Sequence, residues 1–365
     1  MNRLILLGNG FDLAHGLKTS YKDFIIDLVK AEIYASLHEC DWDNYTEKGT
    51  YKNGPITIVI DGHRRRDEAE LGKIETFDEL KLFTKRYSIK VYGSPGNGIF
   101  HKTYSDLTSY NWADIESIYY EILSSILEKN SSRKLKEGYK RQVIDLNKEL
   151  DFLRERLVDY LNKVQSVPTV LEPSMIKGFW ERVCGRHKGS IPGNIQILNF
   201  NYTDTVANYG ELLNISKARG MEIDVNHIHG KLTEPASVIF GYGDEVDSYY
   251  KQMEDLNDNE LLRHAKSFGY FKNSNYKRLL GFIDSGHFEV WVVGHSCGLS
   301  DRVMLKKIFE HPNCRVITIH HFINREVNDH TEKTYQISRH FDNKELMRER
   351  IEPFDPKNCI SEWIG

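Results

Sequence analysis

One short segment near the start of the chain constrains the fold most. Residues 4–7 form a continuous apolar run that ends at Gly8, and such a run is typical of a strand buried on both faces inside a parallel sheet. Comparable apolar runs occur at 195–198, 225–229, 238–240, 289–293 and 315–320. Because helical stretches separate several of these runs, the sequence predicts an α/β fold with a Rossmann-like, mostly parallel sheet.

The chain of 365 residues is longer than one typical domain requires. Part of the surplus lies at 40–111, a region rich in charge, Gly and Tyr that we predict to be an irregular insertion. Its short extended pieces are at 56–60 and 89–92. The predicted α/β core then consists of residues 1–39 and 166–342.

Residues 112–165 have a different pattern and are predicted as a helical insertion, while 343–365 form a C-terminal tail. Apolar residues repeat here at alternating spacings of three and four, as on one face of a long helix. The second half of this stripe contains Val143, Leu146, Leu150, Leu153, Leu157, Tyr160 and Val164. We favour a helical insertion packed within the chain over a coiled-coil dimer, because three heptads are the lower limit for that pattern.

Charge and cysteine content exclude several classes of protein. A formal net charge of −4 gives no overall attraction to nucleic acid or to an anionic membrane. The five cysteines are scattered without a C-x-x-C pair, which predicts reduced thiols. No apolar stretch has the length of a secretory signal or a membrane span. We expect a cytoplasmic protein with no membrane or obligatory nucleic-acid partner, and leave a homo-oligomer open.

The turn after the first strand is a candidate nucleotide-binding loop. Gly8 and Gly10 permit the close backbone approach that a pyrophosphate needs at a helix N-terminus. A Rossmann dinucleotide fingerprint would have Gly or Ala in place of Leu13 and an acid about 20 residues further on, so a standard dehydrogenase is disfavoured. Asp12 has two open roles, as an N-cap or as the acceptor for a ribose hydroxyl.

Polar side chains also follow the later predicted strands. Asn199 and Asn201 share one face if their strand extends that far, and Thr203 or Asp204 can cap the helix that follows. Ligands of open α/β sheets bind beyond the carboxyl ends of the strands, so these residues are candidate ligand contacts.

Two histidines end the next run. His227 and His229 are two residues apart, which puts both on one face of an extended strand. This spacing suits a metal site or a general base. Because the sequence supplies no further zinc-ligand motif, we favour the general base.

A third group of small and polar residues follows the run at 289–293. Gly294 and Ser296 are candidates for holding a nucleotide, and a helix is predicted to begin near Ser300. Asp301 either caps this helix or contacts a hydroxyl group of the ligand.

The ordered set of motifs at 8–12, 16–24, 199–204, 227–230 and 294–301 closely resembles the AbiH family of bacterial abortive-infection proteins. This resemblance covers nearly the whole chain, with the helical middle as its variable part. It implies a role in defence against bacteriophage, with a phage-derived trigger as a partner.

AbiH proteins are in turn similar to the sirtuin-like, or DHS-like, NAD-binding domains of anti-phage defence. That second resemblance implies NAD as the substrate, with Asn201 as the catalytic asparagine and His229 as the base. The sirtuin zinc module, with its paired cysteine motifs, is absent from the sequence, so no metal is expected. The implied NAD-contacting residues are Gly8, Asn9, Gly10, Phe11, Asp12, Thr19, Tyr21, Phe24, Asn199, Tyr202, Asp204, Gly294, His295, Ser296 and Asp301.

Three hypotheses of function follow from these motifs. The leading one is hydrolysis of NAD⁺ to nicotinamide and ADP-ribose. The second is a metal-dependent nuclease, because Asp61 and the triplet at 79–81 offer two carboxylates and a lysine. The third is a non-catalytic sensor of NAD or ADP-ribose.

Overall fold

The computed structural model describes residues 1–360 except 44–46, 63–66, 95–97, 106–111, 130–135, 168–177, 179–180, 186–190, 211–221, 244–247 and 325–326. In these residues the strands are β1 (Asn2–Leu7), β2 (Asp41–Asp43), β3 (Lys48–Asn53), β4 (Ile56–Asp61), β5 (Ile89–Tyr92), β6 (Ile195–Asn199), β7 (Ile223–His227), β8 (Phe288–Val293), β9 (Cys314–His320), β10 (Ile323–Asn324) and β11 (Val327–Asn328).

The helices of the described residues are α1 (Asn9–Ala14), α2 (Tyr21–Glu39), α3 (Glu68–Gly72), α4 (Phe77–Arg86), α5 (Ile99–Ser105), α6 (Trp112–Lys129), α7 (Lys136–Ser166), α8 (Ser248–Asp255), α9 (Asn259–Leu262), α10 (Lys266–Gly269), α11 (Asn275–Asp284), α12 (Arg302–Phe309), α13 (His330–Ser338) and α14 (Lys344–Arg350). None of them has both the length and the apolar content needed to span a membrane.

The chain divides into two compact units. The first contains Met1–Lys18, Leu161–Lys251 and His264–Gly365, and the second contains Thr19–Tyr160 and Gln252–Arg263. This division by packing assigns α2 to the second unit, whereas the boundary drawn from the sequence falls after residue 39.

The first unit is built on a five-stranded sheet in the order β7-β6-β1-β8-β9, in which every pairing is parallel. This confirms the predicted α/β fold. In central strand β1, Leu4 and Leu6 pack into the apolar cluster on one face, and Ile5 and Leu7 pack into the cluster on the other. A strand covered on both faces needs apolar side chains at every position, which explains the uninterrupted run in the sequence.

Two details of the strand prediction are wrong. The run at 225–229 was expected to be extended throughout, but β7 ends at His227. Residues 238–240 form no strand. Instead, the Ile239 N–H donates to the His229 carbonyl over 2.9 Å, and the Ile239 carbonyl accepts from the Tyr202 hydroxyl over 2.9 Å. These contacts to irregular segments replace the regular ladder of a strand.

The C-terminal residues of the first unit pack against its sheet. Helix α14 is followed by Ile351, which forms a parallel bridge with Ile317 of β9. Arg350 lies at the end of this helix, is buried, and donates a hydrogen bond to the Phe309 carbonyl. The described part of the predicted tail therefore packs against β9 and the end of α12.

The second unit contains a four-stranded antiparallel sheet in the order β2-β3-β4-β5. The extended pieces at 56–60 and 89–92 are confirmed as β4 and β5. Regular architecture therefore occurs in a region for which the sequence predicted none. Alternate residues of β4 are buried, as expected for a sheet with one covered face.

The two long helices α6 and α7 also belong to the second unit. Seam residues Val143, Leu150 and Leu157 of α7 are almost fully buried within the single chain. The hydroxyl of Tyr119 on α6 donates to Asn147 Oδ1 on α7 over 2.6 Å. The stripe is therefore used inside the chain, which confirms the packed helical insertion over a dimer seam.

Candidate functional site

The candidate site lies in the first unit, where the carboxyl ends of β7, β6, β1 and β8 meet at one edge of the parallel sheet. Each strand is followed by one of the polar segments that the sequence analysis singled out. Parallel strands end at the same edge, so segments far apart in the sequence converge there.

The turn after β1 packs tightly against the segment after β8. A Cβ on Gly8 would lie 2.5 Å from the His295 Cα, and one on Gly10 would lie 2.8 Å from the Gly294 Cα. The Gly10 N–H also donates to the Gly294 carbonyl over 2.9 Å. These glycines therefore have a packing role within the protein. Helix α1 has only six residues, so its dipole adds little to anion binding.

Asp12 does not cap α1, because Gly8 occupies the N-cap position and Asp12 lies inside the helix. The capping interpretation is therefore wrong. Its carboxylate is 1% exposed, and Oδ2 accepts a hydrogen bond from the Thr203 hydroxyl. Burial raises the pKa of Asp12 to about 6, and the contacts to Thr203, Thr205 and Asn201 oppose that rise.

Asn201 is fixed by its neighbours rather than by a strand, because β6 ends at Asn199. Asn199 Oδ1 accepts from the Asn201 backbone N–H over 3.0 Å, and Asn201 Nδ2 donates to the Gly8 carbonyl over 3.1 Å. The two asparagines therefore do not share a strand face. Asn199 shapes the turn that holds the Asn201 side chain against the turn after β1.

The two histidines separate at the end of β7, and each meets its own aspartate. His227 is the last residue of the strand, and its Nε2 lies 3.4 Å from Asp204 Oδ1. The side chain of Asp204 is 43% exposed. The hydrogen bond from His227 lowers the pKa of Asp204 despite partial burial. Asp204 precedes a 3-10 helix (Thr205–Tyr209) but makes no side-chain hydrogen bond to it, so the predicted cap is not formed.

His229 lies in the turn beyond the strand, so the prediction that both histidines project from one strand face is wrong. Gly230 follows with a φ of +88°, and a Cβ there would collide with the Ser237 carbonyl oxygen. This turn requires glycine. It directs His229 Nε2 to within 3.1 Å of Asp301 Oδ1, at ion-pair distance but without hydrogen-bond alignment.

Asp301 is the centre of a buried cluster of charged and polar groups. Its Oδ1 also lies 2.9 Å from Lys266 Nζ, and its Oδ2 lies 3.7 Å from His295 Nε2. Burial opposes ionisation, but Lys266, His229 and His295 together hold the pKa of Asp301 well below its usual range. Asp301 precedes α12 without a side-chain bond to it, so the capping alternative is not realised.

His295 supports this cluster as a neutral ring. Burial lowers the pKa of His295 to about 4. Its Nδ1 accepts from the Cys297 backbone N–H over 3.0 Å, so the proton of the neutral ring is on Nε2, the atom facing Asp301. Burial raises the pKa of the Cys297 thiol to about 12, which leaves that thiol unreactive. Ser296 between them is exposed.

Aromatic rings surround His229 on several sides. The Phe200 ring stands edge-on to the imidazole, at 5.2 Å between centroids. The Tyr270 ring is nearly parallel to it at 6.4 Å, and the Tyr202 ring is tilted at 6.4 Å. His229 is therefore a buried base candidate in a largely aromatic environment.

The remaining predicted contacts are distributed differently. Phe11 is fully buried in the apolar cluster on one face of the sheet, where it packs against His15 and Tyr209. Asn9, two residues earlier, is partly buried. Thr19, Tyr21 and Phe24 belong to the second unit. The ring of Phe24 packs against the ring of Tyr160, which belongs to the same unit.

The sequence analysis missed Lys266, Phe200 and Tyr270. Lys266 begins the four-residue helix α10, in a segment without a recognised motif. Phe200 lies between the two predicted asparagines, so its proximity was available from the sequence. Lys266 and Tyr270 become visible only when the fold brings their segment to His229.

The carboxylates of the nuclease hypothesis have other partners. The Glu79 carboxylate accepts from the Thr76 backbone N–H over 3.0 Å, as half of a capping box at the start of α4. Asp61 pairs with Lys90 at 3.5 Å and Lys48 at 3.9 Å. Within the described residues, no three candidate metal ligands are grouped together.

These features define a parallel α/β protein with a polar, aromatic-lined cluster at the carboxyl edge of its sheet. Residues 4–323 match the family model described as bacteriophage abortive infection AbiH, and the chain belongs to that family. The match includes residues 4–7 of β1 and all of β6 to β9, the five strands of the parallel sheet. The family description assigns the protein to abortive infection by bacteriophage. No curated protein matches the sequence.

Proposed function

We propose that this protein is an abortive-infection effector that hydrolyses NAD⁺ to nicotinamide and ADP-ribose. The observation that carries the proposal is the position of His229, a buried histidine at the carboxyl edge of the sheet with its Nε2 3.1 Å from a buried carboxylate. Histidine oriented by a carboxylate is a common arrangement for a general base. NAD is chosen as the substrate because the motifs around Gly8, Asn201 and His229 resemble those of sirtuin-like domains.

The proposed chemistry needs positioning more than acid catalysis. A water oxygen forms a bond to the ribose C1′, and the bond from C1′ to the nicotinamide nitrogen breaks. Nicotinamide leaves with the electron pair as a neutral molecule, so it requires no proton. The transition state resembles an oxocarbenium ion, as in glycoside hydrolysis, and the attacking water loses its proton to the base.

His229 accepts that proton in this proposal. The negative charge of Asp301, 3.1 Å from Nε2, favours the tautomer with hydrogen on that atom, which would leave Nδ1 as the acceptor. Asn201 Nδ2 is held by the Gly8 carbonyl, so its Oδ1 is the atom that would orient the water or a ribose hydroxyl. The net charge of −4 gives no attraction to anionic NAD⁺, so affinity must come from local donors.

The test is an assay of purified protein with NAD⁺, in which nicotinamide and ADP-ribose are quantified. We expect turnover by the unsubstituted protein and at least about a 100-fold loss in His229→Ala. Asn201→Ala should also lose activity, and His227→Ala is the matched control on the neighbouring pair.

A second arm uses induced expression in bacteria, where toxicity and cellular NAD⁺ are measured during phage challenge. Full turnover in both active-site variants would contradict the proposed roles. Tight binding of NAD⁺ without consumption, in cells and in vitro, would instead support a sensor.

A further inference from the structure

Two side chains share a single oxygen atom of Asp301. Lys266 Nζ lies 2.9 Å from Oδ1, and His229 Nε2 lies 3.1 Å from the same atom. Lys266 is only 2% exposed, and Asp301 is 8% exposed. A lysine is rarely buried to this extent unless its charge is balanced, so this ion pair is an integral part of the site.

The backbone holds the lysine and the histidine in one arrangement. The Ile239 N–H donates to the His229 carbonyl over 2.9 Å, and three residues later the Tyr242 carbonyl accepts from the Lys266 N–H over 2.7 Å. One irregular segment, residues 239–242, therefore contacts both residues. The backbone positions from which both side chains reach Asp301 are thus held by one segment.

The ion pair has a defined electrostatic effect on the imidazole. An unbalanced carboxylate at this distance would favour the protonated form of His229, which cannot act as a base. The lysine charge cancels most of that field. His295 also faces Asp301, from the segment after β8, but its ring is neutral. Among the described groups around Asp301, Lys266 is thus the cation that balances the charge.

We infer that Lys266 is a positioning residue for His229: it neutralises and holds the Asp301 carboxylate, and so keeps the imidazole free to accept a proton. Asp301 then orients the ring without converting it into a permanent cation. The catalytic importance of Lys266 rests on the proposed function, because it requires that His229 is the general base. The charge balance itself does not depend on which substrate is bound.

The test is an NMR titration of isotope-labelled histidine in the substrate-free protein, with the His229 signal identified from the His229→Gln variant. Lys266→Met should raise the titration midpoint of His229 by about one pH unit or more, because the carboxylate is left unbalanced. Asp301→Asn should lower the midpoint, because the Asp301 carboxylate then no longer offsets the lysine charge. Lys266→Arg retains the charge and should give the smallest displacement of the three.

Displacements of opposite sign in the first two variants identify charge balance, since a merely structural role has no reason to produce them. The Asp301→Asn result tests the inference even if Lys266→Met does not fold, and the reverse also holds. An unchanged midpoint, or displacements of the same sign, would overturn the inference.

The titration also separates this inference from the proposed function, because it needs no turnover. If the protein does not cleave NAD⁺ but the midpoints move as stated, the proposed function fails and the role of Lys266 stands. If NAD⁺ is cleaved, the acidic limb of the kcat/KM profile should move to higher pH in Lys266→Met, while Lys266→Arg retains the original profile.

Discussion

Asp12 and Asp301 are both buried in the first unit, yet their pKa values are shifted in opposite directions. Asp12 accepts a hydrogen bond from Thr203, and burial raises its pKa to about 6. Asp301 lies against Lys266, and its pKa is held well below the usual range. Burial alone therefore raises the pKa of a carboxyl group, and Asp301 differs from Asp12 because Lys266, His229 and His295 face it.

This difference shows which carboxylate can orient a base. A carboxyl group that titrates near neutral pH switches between accepting and donating hydrogen bonds. A carboxylate that stays ionised carries the same charge and accepts hydrogen bonds throughout that pH range. His229 is paired with Asp301, the carboxylate that stays ionised. Its neighbour His227 is paired with Asp204, which is half exposed and therefore screened by solvent.

The largest expected effect is on the stability of Asp301→Asn. This change removes the carboxylate that faces the buried charge of Lys266, and breaking a buried pair typically costs about 3–5 kcal/mol. Urea denaturation at pH 7.5 should show a loss of that size, with a lower midpoint. Asp12→Asn is the matched variant, and we expect it to be neutral or stabilising at the same pH.

The double variant Lys266→Met with Asp301→Asn is the control for this prediction. It removes both charges, so it should recover much of the stability lost in Asp301→Asn. Equal stability of Asp301→Asn, Asp12→Asn and the double variant would show that the ion pair of Lys266 and Asp301 does not affect the free energy of unfolding.

The second prediction compares the two histidines by activity. His229→Gln keeps a donor near Asp301 but removes the titrating ring, so NAD⁺ cleavage should fall by about 100-fold or more. His227→Gln makes the same change at the more exposed pair and should reduce cleavage far less. The measurement is nicotinamide release at saturating NAD⁺, with circular dichroism to verify folding. Comparable losses in both variants would contradict the separate roles of the pairs.

The third prediction concerns the pH dependence of stability through Asp12. Its pKa is raised from 3.8 to about 6 on folding, so between these values the folded state holds a proton that the unfolded state releases. Stability should therefore fall as the pH rises from about 4 to about 6, by up to about 3 kcal/mol. Denaturation at pH 4, 5, 6 and 7 measures this slope.

Asp12→Asn is again the informative variant, because it cannot titrate while its amide oxygen still accepts from Thr203. We expect the contribution of this residue to the slope to disappear in it. If the slope between pH 4 and pH 6 persists unchanged, Asp12 is not the buried acid responsible.

The smallest effect is expected at Glu79, an exposed carboxylate whose work is local. Backbone N–H groups of Glu75 and Thr76 donate to its carboxylate and lower its pKa. Glu79→Gln can still accept those hydrogen bonds, so the melting temperature should change little. Incubation with DNA or RNA and Mg²⁺ should also give the same result in the unsubstituted protein and the variant. Nucleolytic activity that is lost in Glu79→Gln would revive the nuclease hypothesis.

The sequence predicted the parts of the fold that rest on local pattern. Mostly apolar runs located β1, β6, β8 and β9, because a strand covered on both faces buries nearly all of its side chains. The alternating spacing in α7 also predicted its buried seam. The run at 238–240 failed because its apolar side chains are buried while its backbone bonds to loops, a difference that periodicity does not encode.

The candidate site was predictable only in part, for a related reason. Asn201, His229 and Asp301 follow apolar runs, so the general rule on strand ends located them. Their partners depend on which strands are neighbours. Lys266 approaches Asp301 from a segment 35 residues earlier in the chain, and no local pattern distinguishes it from the other lysines of this chain.

The central position of β1 has a consequence for synthesis. Arg3 pairs with Ile195, and Asn2 pairs with Phe288, so β1 leaves the ribosome long before its partner strands are made. At about 5–20 residues per second, that wait for β6 alone is about 10–40 s. During this time the apolar residues 4–7 have no sheet to join, so the nascent chain is exposed to aggregation. Shielding of β1 by a chaperone should therefore influence how much of the folded protein a cell accumulates.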